Sequence, residues 1–182
     1  MYMSVEESTV QTFDSLFKAI GTCQDSIYLF SSSDGVQATF TQNSTDSIRS
    51  QCVVVRDLIA TNGASAVFSR NGGNNTGWYF DPTPATTANF SLPALTCFGD
   101  SIHFTNTSTA YSGSMGDLTF DWEFGDDSTS VLQDPVHYYD NNREYVISLT
   151  STYVNGCTDT YNDTIQIYKP VINLSCSEAD TA

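Results

Sequence analysis

Phe120, Trp122 and Phe124 stand at alternate positions with Asp121 and Glu123 between them. In an extended strand that spacing sends all three aromatics to one face and both carboxylates to the other. Gly125-Asp126-Asp127-Ser128 follows, residues that accept positive φ or bond their own backbone, so the strand runs into a tight turn. The same reading predicts strands near 89–92, 101–106, 136–139, 145–153 and 164–168, and, in the first half, near 36–43, 51–59, 66–70 and 77–80. Cys52-Val53-Val54-Val55 is apolar on both faces, as in a central strand. Nothing reads as a heptad or a long amphipathic helix.

The chain of 182 residues suits two small sandwiches of roughly 80 to 100 residues each. Residues 1–11 carry no clean period and are read as an N-terminal extension, free to fray or to pair with a neighbour's sheet edge. A first module is expected over 12–81, a stiff linker with Pro82 and Pro84 over 82–87, a second module over 88–169, and an extension or the start of a further module over 170–182. Asn71-Gly72-Gly73-Asn74-Asn75-Thr76-Gly77 reads as a hairpin tip. Thr22-Cys23 before Asp25-Ser26-Ile27 echoes Thr96-Cys97 before Asp100-Ser101-Ile102, which suggests two modules of related design. The expected fold is all-β, two tandem immunoglobulin-like β-sandwich modules.

Trp122-Glu123-Phe124-Gly125-Asp126, then Pro135-Val136-His137-Tyr138-Tyr139, then Tyr145-Val146-Ile147-Ser148-Leu149 make a series that resembles the PKD (polycystic kidney disease) domain, over about residues 86–169. That resemblance implies an immunoglobulin-like sandwich in an extracellular setting, of the kind found in Bacteroidota surface proteins. It makes Trp122, Phe124, Gly125, Asp126, His137 and Tyr145 structural, with the Tyr145 hydroxyl tied to upstream backbone. Two positions depart from the family pattern: Asp127 replaces the second turn glycine and Arg143 the glycine before the tyrosine strand. Such modules of surface proteins carry a disulfide that would join Cys97 to Cys157, leaving Cys23 and Cys52 for the first module and Cys176 over. Five cysteines in a Ser/Thr-rich, strand-rich chain point to an oxidising compartment.

The net charge of −15, with six Lys and Arg against 21 Asp and Glu, disfavours a polyanionic partner, nucleic acid above all. Acidity brings calcium into view, with Asp121, Glu123, Asp126 and Asp127 as weak oxygen-ligand candidates, but no Asp-x-Asp-x-Asp-Gly run supports them. No cofactor is expected. No apolar stretch approaches the 18 residues of a membrane span. Residues 1–7 have neither the basic nor the apolar part of a signal peptide, so the chain is read as part of a longer exported protein.

Asp-Ser or Asp-Thr before an aliphatic residue recurs at Ser15, Ser26, Ser47, Ser101, Thr164 and Thr181. The motif is similar to an O-glycosylation acceptor of Bacteroidota and is equally a natural turn-to-strand start. Asn43, Asn74, Asn89, Asn106, Asn162 and Asn173 lie in Asn-x-Ser/Thr sequons. Catalysis has little to draw on: His103 and His137 fall on expected strands, no Gly-x-Ser-x-Gly elbow or His-x-x-x-His occurs, and Asp126-Asp127 reads as a turn. The chain is read as a non-catalytic extracellular structural or adhesive module of a bacterial surface or fibre-forming protein, a disulfide-bonded glycoprotein whose partners are other protein modules, copies of itself through strand exchange, or glycans. The alternative is a carbohydrate-binding or spacer module of a secreted hydrolase, using Trp78, Tyr79, Tyr111 or Tyr138.

Overall fold

The computed structural model describes residues 1–7, 9–14, 17–43, 48–81, 83–93 and 96–169. The described chain is all-β, with one 3₁₀ turn at Met115–Asp117. It divides into two units, Met1–Ala85 with Asn155–Cys157, and Thr86–Val154 with the chain from Thr158.

The first unit contains β1 (Tyr2–Val5), β2 (Val10–Phe13), β3 (Lys18–Ile20), β4 (Ile27–Ser31), β5 (Ala38–Gln42), β6 (Ile48–Gln51), β7 (Val53–Arg56), β8 (Leu58–Val67), β9 (Arg70–Gly73) and β10 (Thr76–Asp81). One sheet runs β1-β4-β7-β9; the other runs β2-β5-β8-β6-β3, with β10 also on β8. Every one of these pairings is parallel. The chain therefore winds from one sheet to the other and back, each strand lying beside its counterpart in the next circuit. This is a coil, stacked as solenoids are, where antiparallel ladders of an immunoglobulin-like sandwich were expected. Single residues make its later corners: Cys52, Asp57, Phe68 and Asn74 have φ of 51°, 57°, 51° and 50°. One left-handed residue reverses the pleat and swings the next strand into the other sheet.

Two further expectations change here. Residues 1–11, read as an extension, hold β1 and the start of β2, and Val5 is buried in the coil's core with Leu29, Phe40, Val55 and Leu58. The Asn/Gly stretch at 71–77 is no hairpin tip, since β9 and β10 enter different sheets. Its side chains replace ladder bonds at the corner. Asn75 Nδ2 donates to the Val55 carbonyl at 2.7 Å, Leu58 N–H donates to Asn75 Oδ1 at 3.0 Å, and Asn74 Nδ2 donates to Asp57 Oδ1 at 2.7 Å. Asp57 is buried, and that Asn74 bond, outweighing desolvation with help from Gly35 N–H and Arg56, holds its carboxyl below the usual carboxylate range.

The second unit contains β11 (Thr86–Thr87), β12 (Phe90–Ser91), β13 (Thr96–Cys97), β14 (Ile102–His103), β15 (Thr105–Asn106), β16 (Thr109–Ala110), β17 (Leu118–Glu123), β18 (Thr129–Ser130), β19 (Val136–His137), β20 (Glu144–Tyr153) and β21 (Thr158–Tyr168). Its main sheet runs β13-β21-β20-β17-β18, antiparallel except for β13 on β21. Short antiparallel pairs β11-β16, β12-β15 and β14-β19 form the other layer. Phe90, Ile102 and Phe104 from that layer share one core with Phe120, Trp122, Ile147 and Leu149 from the main sheet. Thr86 and Thr87, read as linker, belong to this unit: Thr86 is buried and its Oγ1 lies 2.7 Å from Ser151 Oγ.

Candidate functional site

The strongest concentration of patterned side chains lies where β17 ends. Phe120, Trp122 and Phe124 are buried, and Asp121 and Glu123 are exposed. Trp122 Nε1 donates to the Leu132 carbonyl at 2.9 Å, so the indole is apolar-packed and polar-satisfied together. Gly125 turns the chain at φ 79°, and a Cβ there would meet the Val146 carbonyl oxygen at 2.6 Å. Asp127 takes the second left-handed position at φ 68°, which aspartate tolerates better than most residues.

Asp126 is the hub of this turn. Its Oδ1 accepts from Ser128 N–H at 3.1 Å, and its Oδ2 lies 2.8 Å from His137 Nε2. Burial pushes the Asp126 carboxyl up, but the His137 bond and charge and the Ser128 bonds outweigh it and leave it below the usual range. His137 stacks on Phe124 at 4.4 Å between ring centroids and meets Tyr139 edge-on at 4.7 Å. Tyr139 Oη donates to the Phe124 carbonyl at 2.9 Å, and desolvation, with the charge of Asp126, drives its phenol well above the ordinary tyrosine value. Tyr145 stacks on Tyr139 at 4.0 Å and donates to the Asn141 carbonyl at 3.2 Å, with the Arg143 guanidinium 4.4 Å from its ring. Trp122 Nε1, both Asp126 oxygens, His137 Nε2 and the hydroxyls of Tyr139 and Tyr145 are thus committed to bonds that shape the turn or the layer above it.

Residues 83–167 match the family model described as PKD domain. Residues 83–167 are a PKD domain. Similar solved structures include the PKD1 domain of Vibrio anguillarum Epp, 32% identical, with 47% of this chain and 96% of that one covered and a TM-score of 0.41. The PKD1 domain from the Vibrio cholerae metalloprotease PrtV is 30% identical over 46% of this chain and 96% of that one, with a TM-score of 0.40. A structure titled for the promiscuous specificity of carbohydrate-binding modules from the β-sandwich superfamily is 20% identical, over 49% of this chain and 36% of that one, with a TM-score of 0.44. No curated protein matches the chain.

The PKD domain gathers Trp122, Phe124, Gly125, Asp126, His137 and Tyr145 into the network above. It does not gather the calcium candidates: among the described residues, three or more metal-type side chains meet only at Cys23, Cys52 and Cys157. Asp121 and Glu123 point outward on β17, and Asp126 is occupied by His137. His103 is exposed, opposite Val136 on the neighbouring strand. Among the glycosylation candidates, Ser101 and Thr164 are exposed and Ser26 is half-buried, while Ser15, Ser47, Thr181 and Asn173 lie outside the described residues. Asn106 is buried and the Asn74 amide is bonded to Asp57, so neither sequon presents an accessible, unengaged amide.

The cysteines pair differently from the expectation. Cys23 is bonded to Cys157, with Cα atoms 4.9 Å apart, and the buried Cys52 keeps its thiol 3.5 Å from Cys23 Sγ. Burial raises the Cys52 thiol above its ordinary value. Cys97 is disulfide-bonded as well, though not to Cys157, and Cys176 lies outside the described residues. The physical reason is the left-handed corner at Cys52, which turns that residue into the coil and leaves the more exposed Cys23 to the chain at Asn155–Cys157, where Cys23 N–H donates to the Asn155 carbonyl at 3.1 Å.

The aromatic platform of the carbohydrate-binding alternative is not one surface. Trp78 packs against the coil's core near Phe40, with its indole N–H buried, whereas Tyr79, next along β10, is 63% exposed on the opposite face. A different aromatic group had escaped the sequence reading: Tyr2 and Tyr28 stack at 4.8 Å on the outer face of the first sheet. Their 26-residue spacing, continued to Val54, was the available signal.

Proposed function

We propose that this chain is a non-catalytic, extracellular structural or adhesive module of a bacterial surface or fibre-forming protein. The observation that carries the reading is the use made of the PKD series: Trp122, Asp126, His137, Tyr139 and Tyr145 direct their polar atoms into internal bonds rather than toward a bound molecule. Force borne along the PKD domain would also load its ladders well. The chain enters by β11 and β12, in short antiparallel pairs, and leaves by β21, which pairs in parallel with β13, so once the first two short strands give way a pull on the ends shears the β13–β21 bonds together instead of opening them singly.

Self-association through strand exchange belongs to this proposal. β1 pairs with β4 on one edge, and among the described residues its other edge carries no strand. Such an edge accepts a strand from another molecule. O-glycans at exposed Ser101 and Thr164 would add a polar skin. Light scattering of the oxidised protein across a concentration series tests the assembly, with deletion of residues 170–182 alongside, since residues 1–11 supply β1 and the buried Val5 and are part of the first unit's core. Growth of the mass with concentration, reduced by the deletion, is expected; a monomer at every concentration overturns it. Single-molecule extension tests the mechanical role, where one sharp rupture of the PKD domain is expected and gradual lengthening contradicts it.

A further inference from the structure

The outer face of the sheet β1-β4-β7-β9 carries a trough of about 340 Å³, and it is built by register. Tyr2, Tyr28, Val54 and Arg70 stand side by side across the four strands, and Phe30 and Arg56 form the row beside them. All six line the trough together with Gly72. A Cβ at Gly72 would lie 3.0 Å from Arg56 Cβ and 2.9 Å from the Val55 carbonyl oxygen, so the missing side chain keeps the floor open.

The charge here runs against the rest of the molecule. Two of six basic residues converge in a chain of net charge −15. Arg56 is held by Asp34 and, at 3.4 Å, by Asp57. Arg70 is exposed and, among the described residues, has no acidic partner. Tyr2 is 73% exposed, its ring stacked on Tyr28 and met edge-on by Phe30 at 6.4 Å.

We propose that this trough binds an acidic saccharide, a uronic-acid residue whose carboxylate forks onto Arg70 while its C–H face packs on the Tyr28 ring, two strands away and backed on its other side by Tyr2. A planar guanidinium matches a carboxylate with two parallel hydrogen bonds. An aromatic face suits the apolar side of a pyranose and leaves its hydroxyls in water. A peptide fits less well, because the trough lies on a sheet face, whose backbone groups are committed to the ladders and offer no strand pairing. The acidity of the whole chain selects against a densely charged polymer, so the ligand carries isolated carboxylates. This inference goes beyond the structural role above, which stands whether or not the trough is filled.

The test is an NMR titration of the whole chain with cellobiouronic acid, which has one carboxylate, and with neutral cellobiose. The expected result is a set of shifts confined to Tyr2, Tyr28, Arg70 and Gly72, with cellobiose weaker by about tenfold, the worth of one charge-assisted fork. Arg70→Ala, an exposed substitution, should remove that difference, and Gly72→Ala should weaken both sugars. Equal response to the two disaccharides, shifts mapping elsewhere, no response, indifference to Arg70→Ala, or displacement of the sugar by tetraglutamate at the same residues would each overturn the proposal.

Discussion

Replacing Trp122 by alanine probes the second unit where its two layers meet. The indole is 1% exposed, with Phe90, Phe104 and Phe124 at centroid distances of 5.1, 5.6 and 6.3 Å, and its N–H is bonded to Leu132. Truncating a fully buried aromatic costs about 3–5 kcal/mol, because contacts drawn from both layers cannot close over the hole. A unit of this size is stable by about 4–13 kcal/mol at the usual 0.05–0.15 kcal/mol per residue. Trp122→Ala should therefore leave it marginal or unfolded. Trp122→Phe keeps one ring and should cost about 2 kcal/mol, roughly half of it from the Leu132 carbonyl left without its donor. Pulse proteolysis across a urea series, read by fragment mass, separates the two units and shows which one is lost. The first unit should survive both substitutions. A Trp122→Ala protein within about 0.5 kcal/mol of its parent, the range of ordinary surface changes, would refute the packing argument.

Other expectations follow from the turns and corners. Gly125→Ala combines positive φ with a backbone clash at Val146 and should cost at least about 1–3 kcal/mol in urea denaturation. The Asp126 carboxyl is lower in the folded than in the unfolded chain, so its contribution is present above the unfolded value and fades as pH falls through the folded one; Asp126→Asn should be less stable at neutral pH and lack that part of the acid loss in thermal melts from neutral pH downward. Asn74→Ala removes a donor from buried Asp57 and leaves alanine at φ 50°, a loss of about 2–4 kcal/mol, and Asn74→Gly should recover only the backbone share. Cys52, buried and with a raised thiol, should resist iodoacetamide until denaturant is added, and peptide mapping should find Cys23 joined to Cys157; a Cys23–Cys52 peptide would contradict this.

How much of this was readable in the residues differs between the two units. In the second, alternation fixed the facing of Phe120, Trp122 and Phe124, and the turn chemistry of Gly125 and Asp127 marked the strand's end, because both depend on neighbours within a few positions. In the first, the strands near 38–42 and 76–81 were legible, but their partners were not. Alternation has the same form in parallel and antiparallel ladders, and the direction is set at the corners, where Cys52, Asp57 and Phe68 adopt left-handed φ without being glycine or asparagine. The shared Thr-Cys and Asp-Ser-Ile segments proved to be local turn chemistry, Thr22 bonding Asp25 in one unit and Asp100 N–H bonding the Cys97 carbonyl in the other. Disulfide partners and the Tyr2–Arg70 row depend on contacts far apart in sequence, and only the 26-residue recurrence hinted at the latter.

The inward aromatic ribbon is the claim on which the rest depends, and hydrogen exchange at the Trp122 indole reads it directly by NMR. With its N–H bonded to the Leu132 carbonyl in a core shared by both layers, that proton should exchange among the slowest in the second unit, alongside the amides of β20. Exchange at the rate of a free indole, while the β20 amides remain protected, would place Trp122 in water and contradict the account.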